Sequence, residues 1–270
     1  MLLASPLATQ AGGTGEATYL ANAGVMVDSG GHKVLFDPLF RLNHGYYDTL
    51  PEWMENDVML GVAPFDGVTA VFISHYHRDH FSPNLLLNFL MIQPDVRLFA
   101  PAQAVSAMER YAGDDEEGLM ERVTRVALDT GDEPAHYTVG DIAVEVVRVP
   151  HAGWPDSNRD TENLVFRVSL GDGMTVVHYG DAISQPDAFA RYDDHWAARR
   201  ADLSFPPVWF WLERDGVKVL QQTVPGARHI GVHVSTEVPS DPARREAALR
   251  AVDLFTEPGE QRRLGGDEKP

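Results

Sequence analysis

The sequence predicts a single α/β domain, and three observations predict it. The chain has 270 residues, 44% of them apolar and 23% charged, an ordinary globular composition large enough to bury one sizeable core. Short β-forming segments open the chain and return throughout its second half. Between them, apolar strand-like runs alternate with helical segments, with no linker or low-complexity block, the order expected of sheets covered by helices.

Taken in order, residues 1–15 read as a tail. "MLLASPLATQA" has the apolar and small residues of a signal-peptide remnant, without a basic start or a full apolar core. As a remnant it implies a periplasmic or secreted protein; as a plain flexible start it implies a cytoplasmic one. The domain is expected over 16–256. "EATYLA" (16–21), "GVMVDS" (24–29) and "HKVLFDP" (32–38) are β-rich and separated by short turns, a meander of antiparallel strands. The irregular stretch 39–66 reads as a binding loop with a short helix near 50–58. "VTAVFIS" (68–74) is a buried strand, followed by a helix over 82–92 with Ser82 as N-cap and Pro83 in its first turn. A strand at 96–100 and a helix at 101–112 follow, then an acidic turn, "GDDEEG". Strands are expected at "VTRVAL", "IAVEVVRVP", "NLVFRVSL", "MTVVHYG", "ADLSF" and "RHIGVHV", with helices near 213–222 and 241–254. The aromatic run "PPVWFWLE" (206–213) reads as packing at a sheet edge, and 257–270 as a loose polar tail.

Charge and cysteine content narrow the chemistry. Forty acidic against 22 basic residues give a net charge of −18, which repels polyanions and speaks against nucleic acid or an anionic membrane as a partner. No run approaches the ~18 apolar residues that span a bilayer, so a soluble protein is expected, acting on a small molecule and compatible with homo-oligomers. There is no cysteine, so any metal must be held by imidazole and carboxylate.

Such a site is suggested by "VFISHYHRDHF" (71–81), where an apolar strand ends on three histidines and an aspartate. His75 and His77 are two apart and face one side of an extended backbone. Asp79 and His80, past the bend, can face the same space. Four donors crowd one tetrahedral ion, so two ions a few ångström apart, with further ligands from elsewhere, fit better. Chance clustering of surface histidines is the competing reading and the weaker one.

"ISHYHRDH" resembles the H-x-H-x-D-H signature of the metallo-β-lactamase fold superfamily. Other segments match that family in order: "ATYLANAGVMVDSGGHKVLFDPLF" with Asp37, "VVRVPHAG" with His151, "TVVHYGDA" with Asp181, and "RHIGVHV". The resemblance implies a four-layer αββα sandwich with a metal site at one sheet edge. It implies one metal on His75, His77 and His151, a second on Asp79, His80 and His233, and Asp181 bridging them. His229 competes for the last role, but four residues along a strand put it roughly 13 Å from His233. The other ligands follow strand ends, which favours His233. His178, inside a strand, reads as a packed, hydrogen-bonded residue.

The implied function is that of a dinuclear metal-dependent hydrolase. Two divalent ions, Zn2+ first and Mn2+ or Fe2+ as alternatives, make a bridging hydroxide available to attack an ester, lactone or phosphodiester. Asp79 is a candidate proton carrier. Segments "LANAGVMVDSGGHKVLFDP" and "GVHV" look most similar to the branch holding ascorbate-phosphate lactonases and N-acyl-phosphatidylethanolamine phospholipases, with Asn22 standing where that branch often has histidine. Two other readings keep the fold: an iron oxygenase or redox protein, and a non-catalytic metal-binding protein. Substrate contacts are sought in His44, Trp154 and Arg159, with Tyr46, Tyr47, Trp53 and Arg41 as further candidates on the loops; ordinary packing or surface roles compete for each.

Overall fold

The computed structural model describes residues 13–112 and 117–265. The first half runs β1 (Gly15–Ala21), β2 (Gly24–Ser29), β3 (His32–Phe36), α1 (Glu52–Leu60), β4 (Val68–Phe72), α2 (Pro83–Ile92), β5 (Arg97–Pro101), α3 (Ala102–Glu109), α4 (Glu117–Met120) and β6 (Val123–Val126). The second runs β7 (Ala135–Val139), β8 (Ile142–Arg148), β9 (Leu164–Leu170), β10 (Thr175–His178), α5 (Asp187–Ala190), α6 (Asp193–Ala198), β11 (Leu203–Phe205), α7 (Trp209–Leu212), α8 (Gly216–Thr223), β12 (Arg228–His229) and β13 (Gln261–Leu264). A seven-stranded sheet has the order β13-β1-β2-β3-β4-β5-β6, and a six-stranded sheet the order β12-β11-β10-β9-β8-β7. Each begins as an antiparallel meander and continues with parallel strands, β4 to β6 in one and β11 and β12 in the other.

Alternation along the strands explains why two sheets stack with helices outside both. Val25, Val27, Val34, Phe36, Ala70 and Phe72 of the first sheet pack against Val144, Val146, Phe166, Val168 and Val176 of the second. Their neighbours Met26, Leu35, Val71 and Leu98 point the other way, into α1, α2 and α3. Val147, Val165 and Val177 do the same on the far side, under α5, α6 and α8. Period-2 side chains that are apolar in both phases read as continuous runs and require cover on both faces. The result is the αββα sandwich.

Several expectations need correction. No helix forms over 241–254; two short 3-10 turns, Pro242–Arg244 and Ala247–Leu249, stand there instead. The Arg245 guanidinium is buried and donates to the carbonyls of Pro239, Ser240 and Val252, which holds the chain in a curl no helix allows. The C-terminal segment is not loose throughout, because β13 pairs antiparallel with β1 from Gly15↔Leu264 to Thr18↔Gln261. Ser82 occupies the N-cap of α2 but its hydroxyl makes no capping bond. Most of the expected N-terminal tail and the centre of the acidic turn, 1–12 and 113–116, lie outside the described residues.

One buried charge ties the second sheet to its helices. Arg167, 1% exposed on β9, donates from Nε and Nη2 to both Glu145 oxygens at 2.8 and 2.9 Å. Its Nη1 donates to the His195 and Arg199 carbonyls at 2.7 and 3.1 Å, closing the end of α6. Removing one partner leaves a carboxylate without its cation, so Arg167→Leu is expected to cost about 3–5 kcal/mol of unfolding free energy by urea titration. The neighbouring His195 is held at about 4, by burial first and then by the Arg167 cation. Between that value and 6.5 the unfolded chain binds more protons, so stability falls as pH drops through this window. His195→Gln is expected to flatten the decline, read as unfolding midpoints from pH 7 to pH 4.

Candidate metal centre

Parallel pairing puts the C-terminal ends of β3 and β4, and of β10, β11 and β12, along one edge of the sandwich. The loop 73–81 leaves β4 there. It meets the turns after β8 (His151), β10 (Asp181) and β12 (His233), and the β1–β2 turn holding Asn22. Backbone bonds lock these segments together: Leu164 N–H donates to Ser74 O at 2.9 Å, Ala152 N–H to Asp181 O at 2.7 Å, and His233 N–H to Asn22 O at 2.8 Å. The Asn22 side chain in turn donates to the Asp79 carbonyl at 2.9 Å.

Hydrogen bonds behind the histidines fix which nitrogen each presents. Asp37, at the end of β3, accepts from Ser74 N–H at 2.7 Å and from the Ser74 hydroxyl at 2.5 Å. That hydroxyl has spent its only proton, so at His75 Nδ1, 3.0 Å away, it must accept. His75 Nδ1 therefore carries the hydrogen and Nε2 is a lone pair. Asp37 Oδ2 also takes Nδ1–H of His80 at 2.9 Å, which aims His80 Nε2 forward. His151 Nδ1–H donates to Ala152 O at 2.8 Å, turning its Nε2 to within 3.3 Å of His75 Nε2. His77 faces Thr161 Oγ1 with Nε2 at 3.4 Å, leaving Nδ1 for the cluster. These carboxylate, carbonyl and hydroxyl partners are the kind that orient metal-binding imidazoles.

Asp181 stands at the centre. Its Oδ1 is 3.2 Å from His80 Nε2; its Oδ2 is 3.2 Å from His233 Nε2, 3.5 Å from His151 Nε2 and 3.9 Å from His75 Nε2. Its backbone N–H donates to Asn163 Oδ1 at 2.9 Å. Gly180 before it has φ +54°, and a Cβ there would meet Asn163 Oδ1 at 2.5 Å and Ser74 Cβ at 2.6 Å; only glycine fits. Three groups of donors lie close enough to share an ion: His75, His77 and His151; His75, His80 and Asp181; Asp79, His80 and His233. The seven residues expected together from sequence are thus one constellation of two clusters around Asp181, compatible with a dinuclear metal site.

Buried atoms without partners test whether a cation fits. His80 Nε2, Asp181 Oδ1 and His233 Nε2 are buried and make no hydrogen bond among the described residues. Buried polar atoms without partners are costly, and a cation bound between these would satisfy them. The electrostatics agree in part. Burial drives His75 well below the usual imidazole range, and burial with the His151 charge takes His77 to about 4. Burial opposes ionisation of Asp181, yet His233 and His80 hold its carboxyl well below the carboxylate range. Burial likewise opposes Asp79, and His233 and His80 overcome it, to about 2. The acids are ionised and His75 and His77 neutral, the states that bind metal. Burial lowers His80 and His233, but the carboxylates facing them, Asp181 with Asp37 and Asp79, raise both, so a metal bound there would displace protons.

The clusters open into a cavity of about 870 Å³, lined near its base by Asp79, His151, Asp181 and His233, a size suited to small-molecule ligands. His44 lines it, with Nε2 3.7 Å from Asp79 Oδ1, as do Tyr46 and Tyr47. Tyr47 meets His233 edge-on at 4.3 Å between centroids, and burial pushes its phenol up to about 12. Trp154 and Arg159 do not line this cavity. Trp154 belongs to a separate depression beside Ile183 and Arg191, and the Arg159 guanidinium turns back on the Pro155 carbonyl of its own loop. Trp53 faces solvent on α1, and Arg41 is paired with Glu55. His229 donates to or accepts from Ser204 Oγ at 2.8 Å, away from the cluster. His178 is fully buried, stacked on Phe36 at 5.0 Å, its Nε2–H on Ala23 O and its Nδ1 accepting from Gly180 N–H. Sequence reading missed Thr161, Asn163, Asn158 and Trp209. The last packs on His233 at 5.1 Å and donates to Ala182 O.

Asp37→Asn should weaken metal binding by roughly 10–100-fold while leaving the far-ultraviolet circular dichroism intact. Competition against a chromogenic chelator measures this; an unchanged affinity would deny Asp37 its orienting role.

A sequence profile described as the beta-lactamase superfamily domain matches residues 16–208, more than half of the chain. No curated protein matches the chain in sequence. Solved structures do match in fold. The metallo-beta-lactamase fold protein YhfI from Bacillus subtilis is 16% identical, with TM-score 0.59 over 93% of this chain and 99% of that one. Igni18, a metallo hydrolase from the archaeon Ignicoccus hospitalis, is 14% identical, with TM-score 0.59 over 94% and 100%. An isothiocyanate hydrolase from Delia radicum gut bacteria is 13% identical, with TM-score 0.56 over 92% and 98%. At these identities the likeness concerns the fold, and it is the sequence match that carries membership: the chain belongs to the beta-lactamase superfamily.

Proposed function

We propose that this protein is a dinuclear metal-dependent hydrolase of a small-molecule ester, lactone or phosphodiester. The observation that carries the reading is the pair of three-residue donor clusters converging on the Asp181 carboxylate, at the base of the cavity. His75, His77 and His151 would hold one ion, Asp79, His80 and His233 the other, and Asp181 would contact both. An all-imidazole and carboxylate donor set suits Zn2+, with Mn2+ and Fe2+ as alternatives. Bound there, such ions supply Lewis acidity and bring the pKa of water toward ~7.

The chain's own groups do the rest. Asp37 and Ser74 keep the lone pairs of His80 and His75 pointed inward, and Asn163 fixes Asp181. Asp79 Oδ1 faces His44 Nε2 on the cavity side, and its Oδ2 faces His233 Nε2 at 3.7 Å. This carboxylate is the group we assign to proton movement between the reacting centre and the cavity. Tyr47 and Trp209 wall His233 on two sides and limit water there. Within the superfamily we place the chain nearest the branch of ascorbate-phosphate lactonases and N-acyl-phosphatidylethanolamine phospholipases, on segments 20–38 and 231–234, with Asn22 as a departure from it.

Elemental analysis of protein purified without chelator is expected to give about two metal ions per chain. Chromogenic esters, lactones and phosphodiesters are then screened with and without chelator. Chelator-sensitive turnover, lost by roughly 100-fold or more in Asp181→Asn, is the expected result. A single tightly held iron with no hydrolysis would replace this reading with an oxygenase or redox one, and metal without any turnover would leave a binding protein.

A further inference from the structure

Resting on the hydrolase reading, we infer the substrate class: a molecule with an apolar or aromatic body and an anionic group away from the scissile bond, held by Arg78 and Arg110. The protein as a whole is strongly acidic, at −18, yet the described residues lining the cavity include as many arginines as carboxylates. Among the described residues that line it the carboxylates are Asp79 and Asp181, and both stand in the donor clusters at its base. The permanent cations among the same residues are Arg78 and Arg110, which come from different segments of the chain and line the same cavity.

Each arginine is placed by something other than its charge. Arg78 lies inside the histidine loop, and its carbonyl accepts from Leu42 N–H at 3.1 Å, which joins the loop to the segment leading to His44. Its side chain is exposed and takes part in no ion pair among the described residues, unlike Arg41, Arg125 or Arg167. Arg110 stands just past the end of α3 and also lines the adjoining depression with Tyr76 and Gln103. Planar guanidinium groups suit carboxylate and phosphate oxygens, and two of them facing one cavity suit a single anion.

The remaining wall is apolar and aromatic. Leu42, Phe81, Pro83 and Ala107 line it, and Tyr46, Tyr76 and Tyr111 stand around it 59%, 41% and 59% exposed. Tyr46 is anchored through its carbonyl, which accepts from Thr236 N–H at 2.8 Å. Exposed tyrosines around a pocket offer rings to a flat or apolar body. They could equally cage a cation, and the arginines decide against that: a cationic group here would meet two like charges.

The test compares nitrophenyl esters of glutaric acid, valeric acid and trimethylammonio-butyric acid, which present an anionic, neutral or cationic end of similar length. The metal-loaded protein is expected to prefer the glutarate to the cationic ester by roughly 10–100-fold in kcat/KM. Arg110→Glu should cut that ratio at least tenfold, Arg78→Ala should lower it, and Arg110→Lys should retain most of it. A ratio near one, a preference for the cationic ester, or a ratio unmoved by both Arg110→Glu and Arg78→Ala would overturn the inference. The ratio within one variant separates specificity from general damage. If no ester is turned over, ester hydrolysis is what fails, and the corresponding amides are titrated calorimetrically into the same metal-loaded protein. Tighter binding of the anionic amide, lost in Arg110→Glu, sustains the arginine site; equal binding of all three overturns it.

Discussion

The Asp37 carboxylate, at the end of β3, accepts from the Ser74 backbone, the Ser74 hydroxyl and the His80 ring at once. Through the first two it closes the junction between β3 and β4, and through the last two it sets the orientation of two imidazoles. It is fully buried, so an unpaired charge there would be costly; three donors satisfy it. The same contacts that relieve the burial of one carboxylate therefore decide which histidine nitrogens face Asp181. The folding requirement and the geometry of the candidate centre are met by one set of bonds, and neither can be altered alone.

Backbone conformation follows the same logic. Among the described residues, the non-glycine positions with positive φ are Asn22, Asp37, His44, Asn158 and His233. All five border the cluster or its cavity, and none lies in the sheets' interiors. Such conformations are disfavoured by up to about 1–3 kcal/mol each when held rigidly, although asparagine, aspartate and histidine tolerate them better than most residues. They persist because neighbouring bonds over-determine them, as His233 N–H on Asn22 O does for two of the five. Sharp reversals at strand ends let side chains from four separate connections meet within a few ångström.

The sequence made the sheets and the constellation readable for a common reason. Strands apolar in both phases announce two covered faces, and the run 71–81 breaks that pattern with donors at a strand end. Residues whose role depends on a partner far along the chain were not readable. Asn163 on Asp181 and Thr161 on His77 look like any loop polar residues until the fold brings them in. The 241–254 stretch misled because its helical periodicity is overruled by carbonyls that wrap Arg245. Trp154 and Arg159 misled because a loop's side chains can turn either way, and proximity in sequence to His151 does not fix their direction.

The pairing of β13 with β1 carries a consequence for how the polypeptide matures. β1 is synthesised more than two hundred residues before β13, and its outer edge is covered only when 261–264 has been made. Until then a row of unpaired backbone groups is open to other chains, the usual route to misassembly. The delay also reaches the candidate centre. Tyr19 exchanges backbone bonds with Gly259 and Glu260, and its hydroxyl donates to the Asn22 carbonyl that holds His233. A ribosome-bound chain lacking β13 would thus hold the His75–His80 loop early, while the His233 side of the pocket would settle only once 259–264 has emerged.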